Sequence, residues 1–273
     1  MKCKIFITNR SGIDNISHSK DIVTIPYSYE FQENVIFTNK DLTPEAIYLR
    51  ERLDESFNAK LVPISKDEIK EMIDSLIKNQ YDSFVFILNE EDKLYQEYIE
   101  EIKKEYAIKF LVYVSRLVSF SLSSIALELV KKIDSFNDLE DVNKFLTEKE
   151  NKTSTWYFSL EKDYSNTVNI TSIFNSKKKP IVKYYKNDIS GIEQLEFKTI
   201  DMFFKEYFSS IKNIKQIPFI IYTSKYSVFY DYLFDLLNKV YPELKKVNAY
   251  VLPVEEGITL GFNSFGLGYI EAD

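Results

Sequence analysis

Two hydrophobic patterns alternate along the first 150 residues of the chain. Continuous apolar runs of strand length, such as Phe84–Leu88, are typical of strands buried on both faces of a sheet. Six such runs predict strands: Lys4–Thr8, Ile22–Pro26, Val35–Thr38, Leu61–Ile64, Phe84–Leu88 and Ile108–Val114. Amphipathic stretches between them predict helices near 44–57, 66–78, 91–106, 119–133 and 138–151, the last followed by a linker. This order predicts an α/β domain with a parallel sheet over residues 1–150.

The second half of the chain has a different hydrophobic pattern. Short strand candidates are separated by polar turns, and two helical patterns interrupt them. The predicted strands are Thr155–Leu160, Asn169–Phe174, Pro180–Tyr185, Ile217–Tyr222 and Val247–Val254, and the predicted helices are Ile200–Ile211 and Ser227–Val240. This mixture predicts an α+β domain over residues 151–273. Four of the six glycines fall at 257, 261, 266 and 268, where they indicate close backbone approach or bends in a strand.

The N-termini of two predicted helices could bind an anion. Ser65 and Glu68 form a capping-box pattern, and Ser119 opens a serine-rich helix. The first N–H groups of a helix have no intrahelical acceptor, so each start offers donors to a negatively charged group. Helix capping is the alternative role for both serines.

The rarest residue types exclude several chemistries. The chain has one histidine, His18, and one cysteine, Cys3, which cannot supply the usual His/Cys ligands of a zinc site. A nucleophilic triad would have to use His18, which lies in a polar stretch typical of a loop. No internal disulfide can form, which fits a reducing compartment, and the predicted location is the cytoplasm.

Charge and hydropathy exclude further partners. The net charge of −7 disfavours a nucleic-acid partner, and no apolar run is long enough for a transmembrane segment. Aromatic residues make up 15% of the chain. They reflect either coding bias with core filling or a roomy aromatic-lined ligand cavity.

Arginine is rare and lies where the strands end. Four of the 35 basic residues are arginines; Arg10 with Ser11 follows the first strand, and Arg116 with Ser115 follows Ile108–Val114. Ligands of open parallel sheets bind beyond the carboxyl ends of the strands. A guanidinium group with nearby hydroxyls matches a carboxylate or phosphate, whereas the alternative is a solvated or salt-bridged arginine.

Five short segments resemble known motifs: Thr8–Ser11, Asp41–Tyr48, Tyr81–Ile87, Val112–Arg116 and Gly257–Tyr269. In chain order, the motifs are T-D-S-T, D-I-T-P-E-E-F-Y, Y-D-x-V-I-x-I, V-I-D-S-K and H-x-G-P-G-A-x-G-L-G-Y. By the order and spacing of these segments, the chain resembles the DegV family of bacterial fatty-acid-binding proteins.

The resemblance implies a two-domain DegV-like fold with a long-chain fatty acid in a buried tunnel between the domains. It implies a fatty acid or related acyl lipid as the bound ligand, with no other cofactor and no metal. Better-characterised members of the family present the acyl carboxylate to a separate kinase subunit and do not catalyse alone, so the resemblance implies a kinase partner and a chain that is not itself an enzyme. The ligand-binding residues we predict are Arg10, Ser11, Ser65, Ser115, Arg116 and Thr259.

The chain departs from the family at its carboxylate-binding motifs. The position of T-S-Q-P-S reads Lys60–Ser65 and keeps the proline and a nearby serine; the position of S-S-G-L-S-G-T-Y reads Leu88–Tyr95 and keeps the tyrosine. Ile258 or Thr259 replaces the family histidine, and the acids at 90–92 would repel a carboxylate if they pointed at it. The alternative is therefore a divergent protein that has lost or changed its ligand and acts as an interaction protein. An enzyme is the third reading.

Overall fold

The chain divides into two compact units. A computed structural model describes residues 2–16, 19–31, 35–38, 43–53, 59–159, 183–186, 216–222, 227–240, 247–260 and 264–271. The first unit comprises Met1–Thr43 and Ser56–Lys152, and the second comprises Pro44–Glu55 and Thr153–Asp273. Helix α1 (Pro44–Leu53) is thus grouped with the second unit although it lies in the first half of the sequence.

A parallel sheet forms the centre of the first unit. The strands of this unit are β1 (Cys3–Thr8), β2 (Ile22–Ile25), β3 (Tyr27–Phe31), β4 (Val35–Thr38), β5 (Lys60–Pro63), β6 (Ser83–Asn89) and β7 (Lys109–Ser115). Four of them form a sheet in the order β2-β1-β6-β7, and all three pairings are parallel. The predicted parallel sheet is therefore confirmed.

Helices cover both faces of this sheet. They are α2 (Lys66–Lys78), α3 (Lys93–Ile102), α4 (Ser119–Lys132) and α5 (Leu139–Lys152). Ile5 and Ile7 of β1 belong to a buried cluster with residues of α4 and α5. Phe6 points to the opposite face, where it joins residues of α2 and α3 and stacks on Phe86 with ring centroids 4.5 Å apart. Both faces are apolar because successive strand residues point to opposite sides.

Two details of the first unit differ from the sequence-based prediction. Strand β3 was not predicted; it pairs with β4 and β5 in a separate antiparallel sheet of order β4-β3-β5. Its residues alternate between buried and half-buried, with Tyr27, Tyr29 and Phe31 buried. The segment predicted as a helix followed by a linker is one continuous helix, α5, which buries Val142 and Leu146 in the core.

The second unit contains a mixed sheet. Its described strands are β8 (Ser154–Ser159), β9 (Lys183–Lys186), β10 (Gln216–Tyr222), β11 (Asn248–Val251) and β12 (Ser264–Glu271), and its other described helices are α6 (Ser227–Val240) and α7 (Val254–Leu260). The order is β11-β10-β12-β8-β9, with β10 and β11 parallel and the other pairs antiparallel. This confirms the mixed α+β character. The predicted strand 169–174 and helix 200–211 lie outside the described residues.

The C-terminal segment departs from prediction in two places. The strand predicted over Val247–Val254 ends at Val251, because α7 begins three residues later. Strand β12 was not predicted, although the glycines within it were expected to mark close approach. Gly268 confirms that expectation, since a Cβ there would collide with the ring of Phe219.

Gly257 also marks a close approach. A Cβ at this position would lie 2.6 Å from the hydroxyl of Tyr48. The same hydroxyl donates to the carbonyl oxygens of Leu252 and Pro253, at 2.6 and 2.9 Å. Glycine therefore lets α1 dock against α7 inside the second unit. In the described part of the chain, every helix is too short or too polar to cross a membrane.

Candidate functional site

The carboxyl ends of β1, β6 and β7 bring several polar side chains to one edge of the parallel sheet. After β1 the chain makes a tight turn over Asn9–Ser11, which Gly12 closes in the left-handed conformation at φ 69°. After β6 come the acids at 90–92, and after β7 comes the Arg116 loop that leads into α4. This is the edge at which open α/β sheets bind ligands.

Arg10 is buried and ion-paired. Its Nη2 lies 2.8 Å from Oε2 of Glu91, and its Nη1 lies 3.4 Å from Oδ1 of Asp92. The side chain of Arg10 is 4% exposed and that of Asp92 is fully buried. Of the two readings from sequence, the geometry shows the salt-bridged one. Whether Arg10 also serves a ligand stays a prediction.

Asp92 is the centre of a buried hydrogen-bond network. Its Oδ1 also accepts from the hydroxyl of Tyr27 at 2.9 Å. Its Oδ2 accepts from the backbone N–H of Asn89 at 2.9 Å and from Oγ1 of Thr8 at 3.2 Å. Burial, followed by the negative charge of Asp92, raises the pKa of Tyr27 well above its ordinary value. Asp92, one of the acids expected to repel a ligand, therefore points at Arg10. Its hydrogen bonds connect the ends of three strands, β1, β3 and β6.

A second carboxylate organises the other predicted arginine. Glu150 of α5 accepts hydrogen bonds from the hydroxyls of Tyr113 and Ser115, at 2.7 and 2.8 Å. It also lies 3.5 Å from Nε of Arg116, whose side chain is 61% exposed. Burial, then the hydrogen bond to Glu150, raises the pKa of Tyr113. Ser115 and Arg116 thus share one partner, which differs from the partners of Arg10.

The other predicted site residues belong to other elements of the chain. Ser11 donates to the carbonyl oxygen of Thr8 at 2.6 Å and stabilises its own turn. Ser65 caps α2 in a reciprocal capping box with Glu68, which confirms the capping role. These bonds lower the pKa of Glu68. Thr259 lies in α7, in the second unit, and its side chain is outside the described residues.

Ser119 does not cap its helix. The N-cap residue of α4 is Val118, and Ser119 is the first helical residue, with φ of 51° in the left-handed region. It is fully buried, and in the described part of the chain its Oγ makes no hydrogen bond. The capping role considered for Ser119 is therefore wrong, because a cap requires the preceding position.

Sequence reasoning missed three members of these networks: Asp92 as an ion-pair partner, Glu150 and Tyr27. Asp92 lies 82 positions from Arg10 in the chain, and Glu150 lies 34 positions from Arg116. No local pattern identifies such partners. In the described part of the chain, no cluster of three or more His, Cys, Asp or Glu residues could hold a metal ion.

Comparison with known proteins identifies the fold. No family model and no curated protein matches the sequence. Among solved structures, the chain resembles DegV from Bacillus subtilis, a fatty-acid-binding protein, with a TM-score of 0.77, 15% identity and 99% of each chain covered. It also resembles a DegV lipid-binding protein from Thermotoga maritima, with a TM-score of 0.74, 16% identity and 100% of each chain covered.

A third structure carries a ligand. It is a DegV family protein from Eubacterium eligens loaded with heptadecanoic acid, and it matches with a TM-score of 0.72, 11% identity, 99% of this chain and 100% of the other. These structural matches extend over both units described above, and they agree with the resemblance found in the sequence motifs. The chain therefore has the two-domain α/β fold of the DegV fatty-acid-binding proteins.

Proposed function

We propose that this protein binds a long-chain fatty acid or a related acyl lipid. The observation that carries the proposal is the full-length match to the fold of proteins that bind fatty acids. A fold alone does not fix a function, so the inference is one of analogy and needs the site as its second support. That support is the polar carboxyl edge of the parallel sheet, where a head group would have donors.

Arg116 is the described arginine best placed to exchange its partner for a ligand. Its side chain is 61% exposed and its Nε lies 3.5 Å from Glu150, a contact at the long end of the hydrogen-bond range. Arg10, by contrast, is buried against two carboxylates. Within the predicted ligand-binding set, we therefore favour Arg116 over Arg10 for contact with an acyl head group.

A thermal-shift titration tests the proposal. The protein, stripped of lipid, is titrated with saturated fatty acids of increasing chain length, and the matching fatty alcohols serve as controls for apolar binding. A ligand that binds only the folded state, at a free concentration of a hundred times its Kd, stabilises that state by about 2.7 kcal/mol. We expect a rise in melting temperature that grows with chain length. No rise with any acyl ligand would contradict the proposal.

The second candidate is a protein whose ligand has changed or been lost and which acts in protein interactions. The buried Arg10–Asp92 pair favours it, because that arginine is already neutralised by the chain's own carboxylates. The same titration separates the candidates. Stabilisation by fatty alcohols alone indicates a changed ligand, and no stabilisation by either class indicates a lost one.

A finer proposal concerns presentation of the ligand. The DegV resemblance in the sequence implies that the bound acyl carboxylate is handed to a separate kinase subunit, with this chain as a non-catalytic carrier in the cytoplasm. We would test it by incubating the acyl-loaded protein with a bacterial fatty acid kinase subunit and radiolabelled ATP. Acyl phosphate formed only when both proteins are present supports the carrier role, and its absence with a loaded carrier contradicts it.

A further inference from the structure

Strand β7 is an edge strand of the parallel sheet, and in the described part of the chain one side of its backbone has no partner strand. It pairs with β6 in the sheet order β2-β1-β6-β7. Both strands have seven residues, but every residue of β6 is buried, whereas Tyr113 and Ser115 are the buried residues of β7. The other side of β7 therefore presents an open edge.

The hydrogen bonds of β7 show which of its residues face this edge. The N–H of Lys109 donates to the carbonyl oxygen of Asp82 at 3.3 Å, and the carbonyl oxygen of Ser115 accepts from the N–H of Glu90 at 3.1 Å. Backbone groups of successive strand residues point to alternate sides, so the odd-numbered residues of β7 bond to β6. The even-numbered residues direct their N–H and carbonyl groups at the open edge; they are Phe110, Val112 and Val114.

The open edge lacks the features that usually prevent a strand from pairing with another chain. Proline, bulges and charged side chains blunt such edges in most proteins. Strand β7 has no proline, its register with β6 is continuous, and its one charged residue is Lys109 at the first position. Val114, near the other end, is 41% exposed. A regular apolar edge of this kind is a template for the addition of a strand.

The apolar residues of the edge are complementary to a second copy of themselves. In an antiparallel pair with a two-fold axis at Val112, this residue faces Val112 of the second copy, and Phe110 faces Val114 of the second copy. Each opposed pair can exchange two backbone hydrogen bonds. Phe110 and Val112 pack against the buried cluster on the α2 and α3 side of the sheet. The pairing would therefore extend that apolar surface from one copy to the other.

Charge is complementary at the two ends of the strand. The same register places Lys109 opposite Ser115 of the second copy. Ser115 donates to Glu150 at 2.8 Å, and the same carboxylate accepts from the N–H of Arg116 at 3.3 Å, beside the open edge. In the described part of the chain, the exposed side chain of Lys109 makes no ion pair. The two-fold axis brings the ammonium of each copy towards the carboxylate of the other, once at each end.

We propose that two copies of this chain associate by antiparallel pairing of their β7 strands, which joins two four-stranded sheets into one continuous sheet. An edge that is complementary to itself in hydrogen bonding, apolar contact and charge fits a second copy better than an unrelated peptide. Dimers with one two-fold axis are also the commonest form of homo-oligomer. The inference does not depend on acyl binding, so either can fail without the other.

Sedimentation velocity of the full chain over a wide range of concentrations tests the proposal. Val112→Pro removes the N–H at the centre of the pairing, and proline is tolerated in an edge strand where the N–H faces away from the sheet. Val114→Lys places a charge on the edge. Leu49→Lys is the matched control, because Leu49 is 47% exposed and belongs to α1 of the second unit.

We expect the parent to form a dimer as its concentration rises, and both edge variants to stay monomeric with unchanged far-ultraviolet circular dichroism. Leu49→Lys is expected to dimerise as the parent does. Lys109→Glu places a carboxylate opposite the Glu150 side of the second copy, so it is expected to weaken the dimer. That effect should be smaller at high salt, because salt screens the repulsion.

Hydrogen exchange of the parent provides a readout that needs no variant. We expect the outward amides of β7 to exchange more slowly as the protein concentration rises, because the second copy accepts their hydrogen bonds. The amides that bond to β6 should exchange slowly at every concentration. The outward amides are those of Phe110, Val112 and Val114, and the inward amides are those of Leu111, Tyr113 and Ser115.

Three results would overturn the inference. A parent that stays monomeric at every concentration does not pair through β7 or any other surface. A dimer that persists in both edge variants, or that Leu49→Lys disrupts equally, does not depend on the β7 edge. If the outward amides exchange at a rate independent of concentration, no second copy covers them, and this result holds even where an edge variant fails to fold.

Discussion

Arg10 and Asp92 form a buried ion pair at the ends of two neighbouring parallel strands, with Nη1 of the arginine 3.4 Å from Oδ1 of the aspartate. Removing one partner of such a pair leaves an uncompensated buried charge and costs about 3–5 kcal/mol. Glu91, which is only partly exposed, retains a share of the compensation. Breaking the pair therefore destabilises the edge of the sheet where we place the ligand.

We predict that Asp92→Asn lowers the free energy of unfolding by about 3 kcal/mol, measured by urea denaturation at neutral pH. The amide keeps the shape of the side chain but loses its charge. Glu90→Gln is the matched control, because Glu90 is exposed and changes the net charge equally; its effect is expected to stay within about 0.5 kcal/mol. Equal stability of the two variants would show that the buried pair contributes nothing.

Arg116→Ala tests the predicted anion site without disturbing the core. Since the side chain is 61% exposed, we expect the free energy of unfolding to change by less than about 1 kcal/mol. The affinity for palmitate is expected to fall about tenfold, and the affinity for hexadecanol is expected to stay unchanged. Lys144→Ala removes an exposed, ion-paired cation from α5 and should alter neither affinity. Unchanged palmitate binding in Arg116→Ala would remove Arg116 from the site.

The raised pKa of Tyr27 predicts loss of stability in alkali. The unfolded chain releases the phenol proton near the ordinary pKa of 10.0, whereas the folded chain retains it. The unfolded state therefore binds fewer protons above that pH, and stability falls by up to about 1.4 kcal/mol per pH unit for each such tyrosine. Stability is fully present below the ordinary pKa and is lost as the pH rises above it.

Urea denaturation at a series of alkaline pH values measures this slope. Tyr27→Phe is expected to be less stable at neutral pH, because its hydrogen bond to Asp92 is lost, but its stability should decline less steeply above the tyrosine pKa. An alkaline slope equal to that of the parent would show that Tyr27 ionises freely in the folded state.

Ser65→Ala separates the capping role of this serine from its predicted ligand role. Loss of an N-cap side chain costs about 1 kcal/mol, and we expect that decrease in the free energy of unfolding. Ser75→Ala, at an exposed position of the same helix, controls for helix propensity. Palmitate affinity is expected to stay unchanged, since the Ser65 hydroxyl is bound to Glu68. A selective loss of palmitate affinity would return Ser65 to the binding site.

The sequence predicted the elements whose signals are local. The apolar runs of β1 and β6 identified a parallel sheet because both faces of each strand are buried, and the apolar run of β7, at the edge of that sheet, is mostly half-buried. Strand β3 was missed because it follows directly on Pro26, which ended the preceding prediction. Strand β12 was missed because glycine is uncommon inside strands, although here Gly268 allows close packing against Phe219 of β10.

The candidate site was predictable in position but not in its partners. Arginines after β1 and β7 do lie at the carboxyl edge of the sheet. Their carboxylate partners are distant in sequence, and the unpaired hydroxyl of Ser119 depends on a left-handed backbone that no local pattern indicates. Contacts between residues that are far apart in the sequence form only in the folded chain, so the order of residues could not predict them.

Native mass spectrometry of the purified protein, followed by lipid extraction, tests the central proposal most directly. An acyl ligand that binds tightly to the folded protein is retained through purification. We expect an adduct of fatty-acid mass that disappears after delipidation and returns when palmitate is added. A bare polypeptide mass both before and after addition of palmitate and hexadecanol, with no rise in melting temperature, would contradict acyl binding.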